Sequence, residues 1–157
     1  FFMISNITQK IAEALKVGDE IRLSTMRLLA SSLNYEKIAK QHILSEEEEL
    51  AVVRKEAKKR KEAIEAFRKA QGKHTTSGSD MTDKIEQEEK ELAILQEFLP
   101  AEMGEGELSK IIDEAIALIG AASPADIGKV MGVVMGKVKG KAEGDRVFKL
   151  VESKLKA

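Results

Sequence analysis

The side chains able to do covalent or acid–base chemistry are few and scattered. His42 and His74 stand alone in the sequence, and no His, Asp or Glu set has metal-site spacing such as H-E-x-x-H. Ser24, Ser31 and Ser32 lie in an apolar-periodic stretch with no base beside them, so a serine nucleophile has no support. Cysteine is absent, which removes thiolate catalysis, disulfides and cysteine zinc sites, and fits a reducing compartment. The carboxylates of Glu46 to Glu49 follow Ser45, and Ser45 with Glu48 has capping-box spacing. The acidic run therefore reads as a helix start placing negative charge at the positive end of the dipole, not as a metal site. No phosphate-binding G-x-x-x-x-G-K-[ST] loop occurs. The residues predict no catalytic constellation, no metal and no cofactor.

What remains is a spacing of glycines and lysines. In "IGKVMGVVMGKVKGKAEG", residues 127 to 144, Gly128, Gly132, Gly136, Gly140 and Gly144 recur at every fourth position, with no acid between Asp126 and Glu143. On a helical wheel Ile127, Met131, Val134 and Val138 share one arc, and Gly128, Gly132 and Gly136 centre about 130° away from it. Each interior glycine costs about 1 kcal/mol relative to alanine, so about 3 kcal/mol is given up on a face that core packing does not explain. Lys129 and Lys139 lie on or beside this bare face, and Lys137 and Lys141 flank it. A helix surface stripped of side chains and edged by ammonium groups admits a phosphate backbone closely; it also admits a second helix. A membrane glycine-zipper pair does not suit the lysines or the short apolar length.

A second basic run, "RKEAKKRK" at residues 54 to 61, places Arg54, Lys58, Lys61 and, further on, Arg68 beside an apolar stripe. It reads either as a solvated face with Glu56–Arg60 and Lys58–Glu62 pairs or as a second RNA-contacting surface. Arg60 falls inside the apolar arc, where a bare charge is costly, and is expected to reach an acid across a helix interface. Arg27 and Glu36 invite a similar structural reading.

The elements that must position these residues all have helical period. Residues 5 to 17 set Ile7, Ile11, Ala14 and Leu15 on one face before Gly18, and Asp19 caps a second helix to about Gln41 with Leu23, Met26, Leu29 or Ala30, Leu33 and Ile38 as its apolar side. The third helix runs from Ser45 to about Ala70 through Leu50, Val53, Ala57, Ile64 and Phe67, and residues 72 to 80 read as a loop. A fourth, from about Met81 to Phe98, aligns Met81, Ile85, Leu92, Leu95 and Leu99. Pro100, Gly104 and Gly106 then break the chain.

Residues 107 to 119 are amphipathic up to Gly120. Ser123-Pro124-Ala125-Asp126 has the form of a capped helix start for the glycine helix, and a last helix from about Asp145 to Leu155 presents Val147, Phe148, Val151 and Leu155. The predicted fold is all-α, with an N-terminal helical domain of about four helices over residues 3–99 and a small C-terminal three-helix bundle over 100–157.

The 157 residues are 43% apolar and 34% charged with a net charge of -1, so no global field draws the chain to nucleic acid and any such contact must be local. Aromatics are only 4%, leaving few stacking platforms for single strands. No apolar run has membrane-span length, and a cytoplasmic location without membrane contact is expected. Met3 resembles an initiator, with Phe1 and Phe2 read as an expression scar.

"RLSTMRLLASSL" (22 to 33), "ELAILQEFLP" (91 to 100) and "ADIGKVMGVVMGKVKGKAEG" (125 to 144) together resemble the YqeY family, also called GatB/YqeY-domain proteins, over essentially the whole chain from Met3. The most specific part, "KVKGKAEG", is similar to the tail of the B subunit of the glutamine-dependent Asp-tRNA/Glu-tRNA amidotransferase. The resemblance implies an all-α protein whose C-terminal domain contacts tRNA through Lys129, Gly132, Gly136, Lys137, Gly140 and Lys141, and Lys139, beside the bare face, joins the candidate RNA-binding set. It implies a tRNA-associated accessory role, with tRNA as partner and a possible protein partner in tRNA-dependent amidation. A component of carbon–nitrogen ligase activity with glutamine as amido donor, or an adaptor using the glycine face, are the alternatives. "HTTSGSD" at 74 to 80 and the loosely capped helix start at Gly104 and Gly106 depart from the family pattern.

Overall fold

The computed structural model describes residues 2–72 and 78–156. His74 and residues 73–77 of the expected loop lie outside them. The described residues form seven α-helices and one 3-10 turn: α1 (Phe2–Val17), α2 (Glu20–Lys40), α3 (Glu46–Gln71), α4 (Gly78–Gln96), α5 (Glu105–Ile119), the turn Pro124–Asp126, α6 (Ile127–Val138) and α7 (Gly144–Lys156). No strand occurs among them, and the fold is all-α as the periodicity predicts. The start of α4 at Gly78 takes residues 78–80 out of the expected loop. The chain divides into two compact units, Phe1–Leu99 and Pro100–Ala157.

Local chemistry sets most of the boundaries. The Asp19 carboxylate accepts from the Arg22 N–H at 3.0 Å and caps α2, while Gln41 ends it in the left-handed region at φ 59°. Ser45 and Glu48 close the predicted capping box at the start of α3, at 3.3 and 2.8 Å. Lys40 donates to Glu48 at 2.7 Å, and that contact together with the Ser45 N–H holds the Glu48 carboxyl down at about 2.

In the first unit α1 packs on α2 and α3 on α4, around Ile7, Met26, Leu29, Leu33, Val53, Ala57 and Leu95. Three apolar positions assigned to stripes are placed otherwise. Leu15 and Ile38 are exposed, each turned away from the buried face of its helix, and Met81 is only half-buried. Ion pairs tie the helix ends together: Arg22 grips Glu97 through two 2.7 Å bonds, which lowers the Glu97 pKa. The Lys10 ammonium lies 4.5 Å above the Phe98 ring.

Arg60 reaches acids across the α3–α4 interface, as its place in the apolar arc requires, and not the expected Glu56. Its Nε lies 2.9 Å from Glu91 Oε2 and its Nη1 3.5 Å from Glu88 Oε2, close approaches that lack hydrogen-bond alignment. Gln87 Nε2 donates to the other Glu91 oxygen at 3.0 Å. Glu56 is buried and is served by Ser32 Oγ at 3.1 Å and Lys59 Nζ at 2.8 Å. Arg27, by contrast, is exposed and reaches no acid among the described residues, while Glu36 lies 3.9 Å from Lys40.

One arginine facing two carboxylates leaves the cluster with excess negative charge, and burial, the largest influence, pushes the Glu88 pKa up despite Arg60. A raised folded-state pKa means that the protonated group's contribution is fully present below the ordinary 4.5 and is lost as pH rises through the folded value. Glu88→Gln is therefore expected to stay within about 1 kcal/mol of wild type at neutral pH. It should also flatten the stability curve just above pH 4.5, which urea titrations at stepped pH will read.

In the second unit α5, α6 and α7 surround a core of Leu108, Ile112, Ala115, Val130, Val134, Val138, Val147 and Val151, all fully buried. Gly120 ends α5 at φ 70°, the left-handed conformation expected of it. The 101–104 segment is pinned to the turn before α7: the Met103 N–H donates to the Lys141 carbonyl at 2.7 Å, and Arg146 Nη1 donates to the Met103 carbonyl at 3.0 Å. Phe148 is exposed at the edge of α7, because Val147, Val151 and Leu155 already fill the face toward the core.

Candidate nucleic-acid interface

The start of the glycine helix differs from the expected capped form. Pro124 to Asp126 make one 3-10 turn, and the Ser123 side chain caps nothing. Asp126 instead folds back, accepting from the Ala122 N–H at 3.2 Å and lying 3.8 Å from Lys129 Nζ. Proline and a short turn let the chain enter α6 with Ile127 already aimed inward. From there Val130, Val134 and Val138 at four-residue steps drive the inner face against α5 and α7, with Ile127 and Met131 half-buried beside them. The predicted arc omits Val130, although its spacing to Val134 and Val138 carries the signal.

Burying that face turns Gly128, Gly132 and Gly136 outward. All three are exposed, and a Cβ added at any of them meets no heavy atom within 4 Å. Packing within the unit gives no reason for three glycines there.

The ladder is shorter than the sequence spacing suggests, because α6 ends at Val138. Lys139 and Gly140 follow in left-handed conformations at φ 44° and 80°, and the Lys141 N–H closes the turn on the Val138 carbonyl at 2.9 Å. Gly140 therefore serves a turn needing positive φ, and Gly144 opens α7. Neither belongs to the open face of the helix.

The lysines divide in the same way. Lys129, with its side chain 73% exposed, stands beside Gly132 and Gly136 on the helix. Lys137 is exposed but lies about 140° around the helix from the centre of the glycines, next to the Val130 edge of the buried stripe, so it does not flank the bare face. Lys139 and Lys141 are exposed in the turn at the negative end of the helix dipole, and like Lys137 have no acid partner among the described residues. Left-handed backbone at a non-glycine residue costs about 1 kcal/mol, so Lys139 sits where glycine would be more stable.

The second basic run is more neutralised. Arg68 donates to Glu89 of α4 at 2.6 Å, Arg54 is half-buried, and Arg54, Lys58 and Lys61 all have interactions within the protein. These four are interleaved with acids within the first unit.

His42 is a surface residue whose Nδ1 lies 2.8 Å from the Ile43 carbonyl oxygen. Among the described residues no group of three or more His, Asp or Glu gathers to hold a metal ion, and no single helix is long and apolar enough to cross a membrane.

Fold and surface thus define an all-helical protein with an open, lysine-edged glycine face on the middle helix of its C-terminal unit. The chain belongs to the YqeY family: the model described as "Yqey-like protein" matches residues 4–155. It is also similar to "Uncharacterized protein C22F3.15" of Schizosaccharomyces pombe, with 31% identity over 94 residues, covering 60% of this chain and 69% of the yeast protein.

Proposed function

We propose that the C-terminal unit lays the Gly128, Gly132 and Gly136 face of α6 against an RNA phosphate backbone, with Lys129, Lys139 and Lys141 reaching its oxygens, and that the RNA is tRNA. The protein then acts as a tRNA-associated accessory factor without catalysis of its own. The observation that carries the reading is the open space above all three glycines, on a helix that gives up stability to keep it. Lys139, held in a costly backbone conformation with no acid partner among the described residues, supports it. The choice of tRNA rests on the family resemblance of residues 125 to 144.

The test is tRNA binding across a salt series. Each lost lysine–phosphate contact is expected to reduce the slope of log affinity against log salt by about 0.7 to 0.9. Lys129→Ala, Lys139→Ala and Lys141→Ala together should lower it by about two units, and Lys137→Ala should change it least. No binding by wild type at low salt, or an unchanged slope in the triple variant, sinks the reading.

A helix of a partner protein is the other occupant the open face admits. Gly132→Leu should abolish either contact without unfolding the unit, and only the RNA contact weakens with salt.

A further inference from the structure

We propose that the protein self-associates through the outer face of α2, which pairs antiparallel with α2 of a second copy about a twofold axis between Ser31 and Ser32. The face is unusual for a chain with 34% charged residues. Ser24, Leu28, Ser31, Tyr35, Ile38 and Ala39 fall within an arc of about 100°, and from Ser24 to Ala39 that arc holds no charge. Tyr35 is 76% exposed, Ile38 75% and Leu28 45%, so three large apolar side chains lie along one uncovered helix face.

The spacing selects a second copy as the occupant. Leu28 and Tyr35 are equidistant from the midpoint between Ser31 and Ser32, and so are Ser24 and Ala39. An antiparallel pair centred there sets Leu28 against the partner's Tyr35 at two symmetric places and small Ser24 against small Ala39 beyond them. Ile38 then extends over the partner's Ser24. This is the self-complementarity an isologous interface requires.

The polar groups tolerate burial. Ser24 Oγ already donates to the Ile21 carbonyl at 3.1 Å and Ser32 Oγ to Glu56 at 3.1 Å. Ser31, at the axis, meets the same hydroxyls from the other copy. A contact about 22 Å long buries on the order of 1,000 Å², the low end for a specific interface, and the association proposed is a weak, micromolar one.

Sedimentation of the full chain without RNA, from about 1 to about 300 µM, should show the mass rising from 17.3 kDa toward twice that value. Tyr35→Lys and Ile38→Lys, at exposed positions, should keep the fold and weaken association at least about tenfold, while Lys37→Glu on another side of α2 should not. Because the chain has no native cysteine, single replacements report the pairing. Ser31→Cys should oxidise to a covalent dimer. Ser24→Cys, about 22 Å from its symmetry mate in this arrangement, should not. A monomer at every concentration, indifference to Tyr35→Lys, or equal cross-linking at Ser24 and Ser31 overturns the proposal.

Discussion

Replacing Gly128, Gly132 and Gly136 together by alanine is expected to stabilise the C-terminal unit by about 2 to 3 kcal/mol. The glycines lie on one helix, and no added methyl finds an atom within 4 Å, so nothing in the folded state opposes the gain. The stabilisation comes from the unfolded chain, where alanine has less backbone freedom to lose. Gly128, in the first turn, contributes least. For a unit this small the melting transition should rise by on the order of 10 °C. Under the proposed function the same variant binds tRNA about tenfold more weakly, since three methyl groups hold the backbone off the helix. A variant that gains stability and binds equally well removes the glycine face from the interface. A variant that loses stability shows the face packed against something.

Arg60→Met is expected to destabilise the N-terminal unit by about 3 kcal/mol. Methionine replaces the stem but strands Glu88 and Glu91 at the α3–α4 interface, where Gln87 still donates to Glu91. The loss should shrink as pH falls toward 4.5, because stranded carboxylates escape their burial cost by taking up protons. Adding Glu88→Gln and Glu91→Gln to Arg60→Met should recover most of the stability. Urea denaturation of the single and triple variants measures both effects, and failure of the triple variant to recover would show that Arg60 acts through packing of its stem.

Much of the helical layout was legible because local rules acted alone. Asp19 before α2, the Ser45–Glu48 box before α3 and Gly120 after α5 each satisfy helix-end groups with atoms from the same few residues. Where local solutions compete, sequence pattern does not choose between them. Ser123 looked like a cap, yet Pro124 and Asp126 closed a 3-10 turn, with Asp126 bonding back to Ala122. The ladder looked continuous to Gly144, yet two left-handed residues ended α6 after Val138. Periodicity alone does not register a turn that begins in phase with the helix before it.

By itself the sequence determined that this chain is helical, that it resembles the YqeY family, and that Gly128, Gly132 and Gly136 share one side of a helix. These depend on spacing within a single element, which a wheel reproduces. Tertiary structure alone decided that a Cβ added at those glycines meets no heavy atom within 4 Å, that Lys139 and Lys141 sit in a turn beyond the helix, and that Arg60 answers to Glu88 and Glu91 rather than to Glu56. It also left Tyr35 and Ile38 uncovered on α2. The reason is the same in each case: whether a face is buried, paired or open depends on which other helix comes to it, and that is a property of packing between elements.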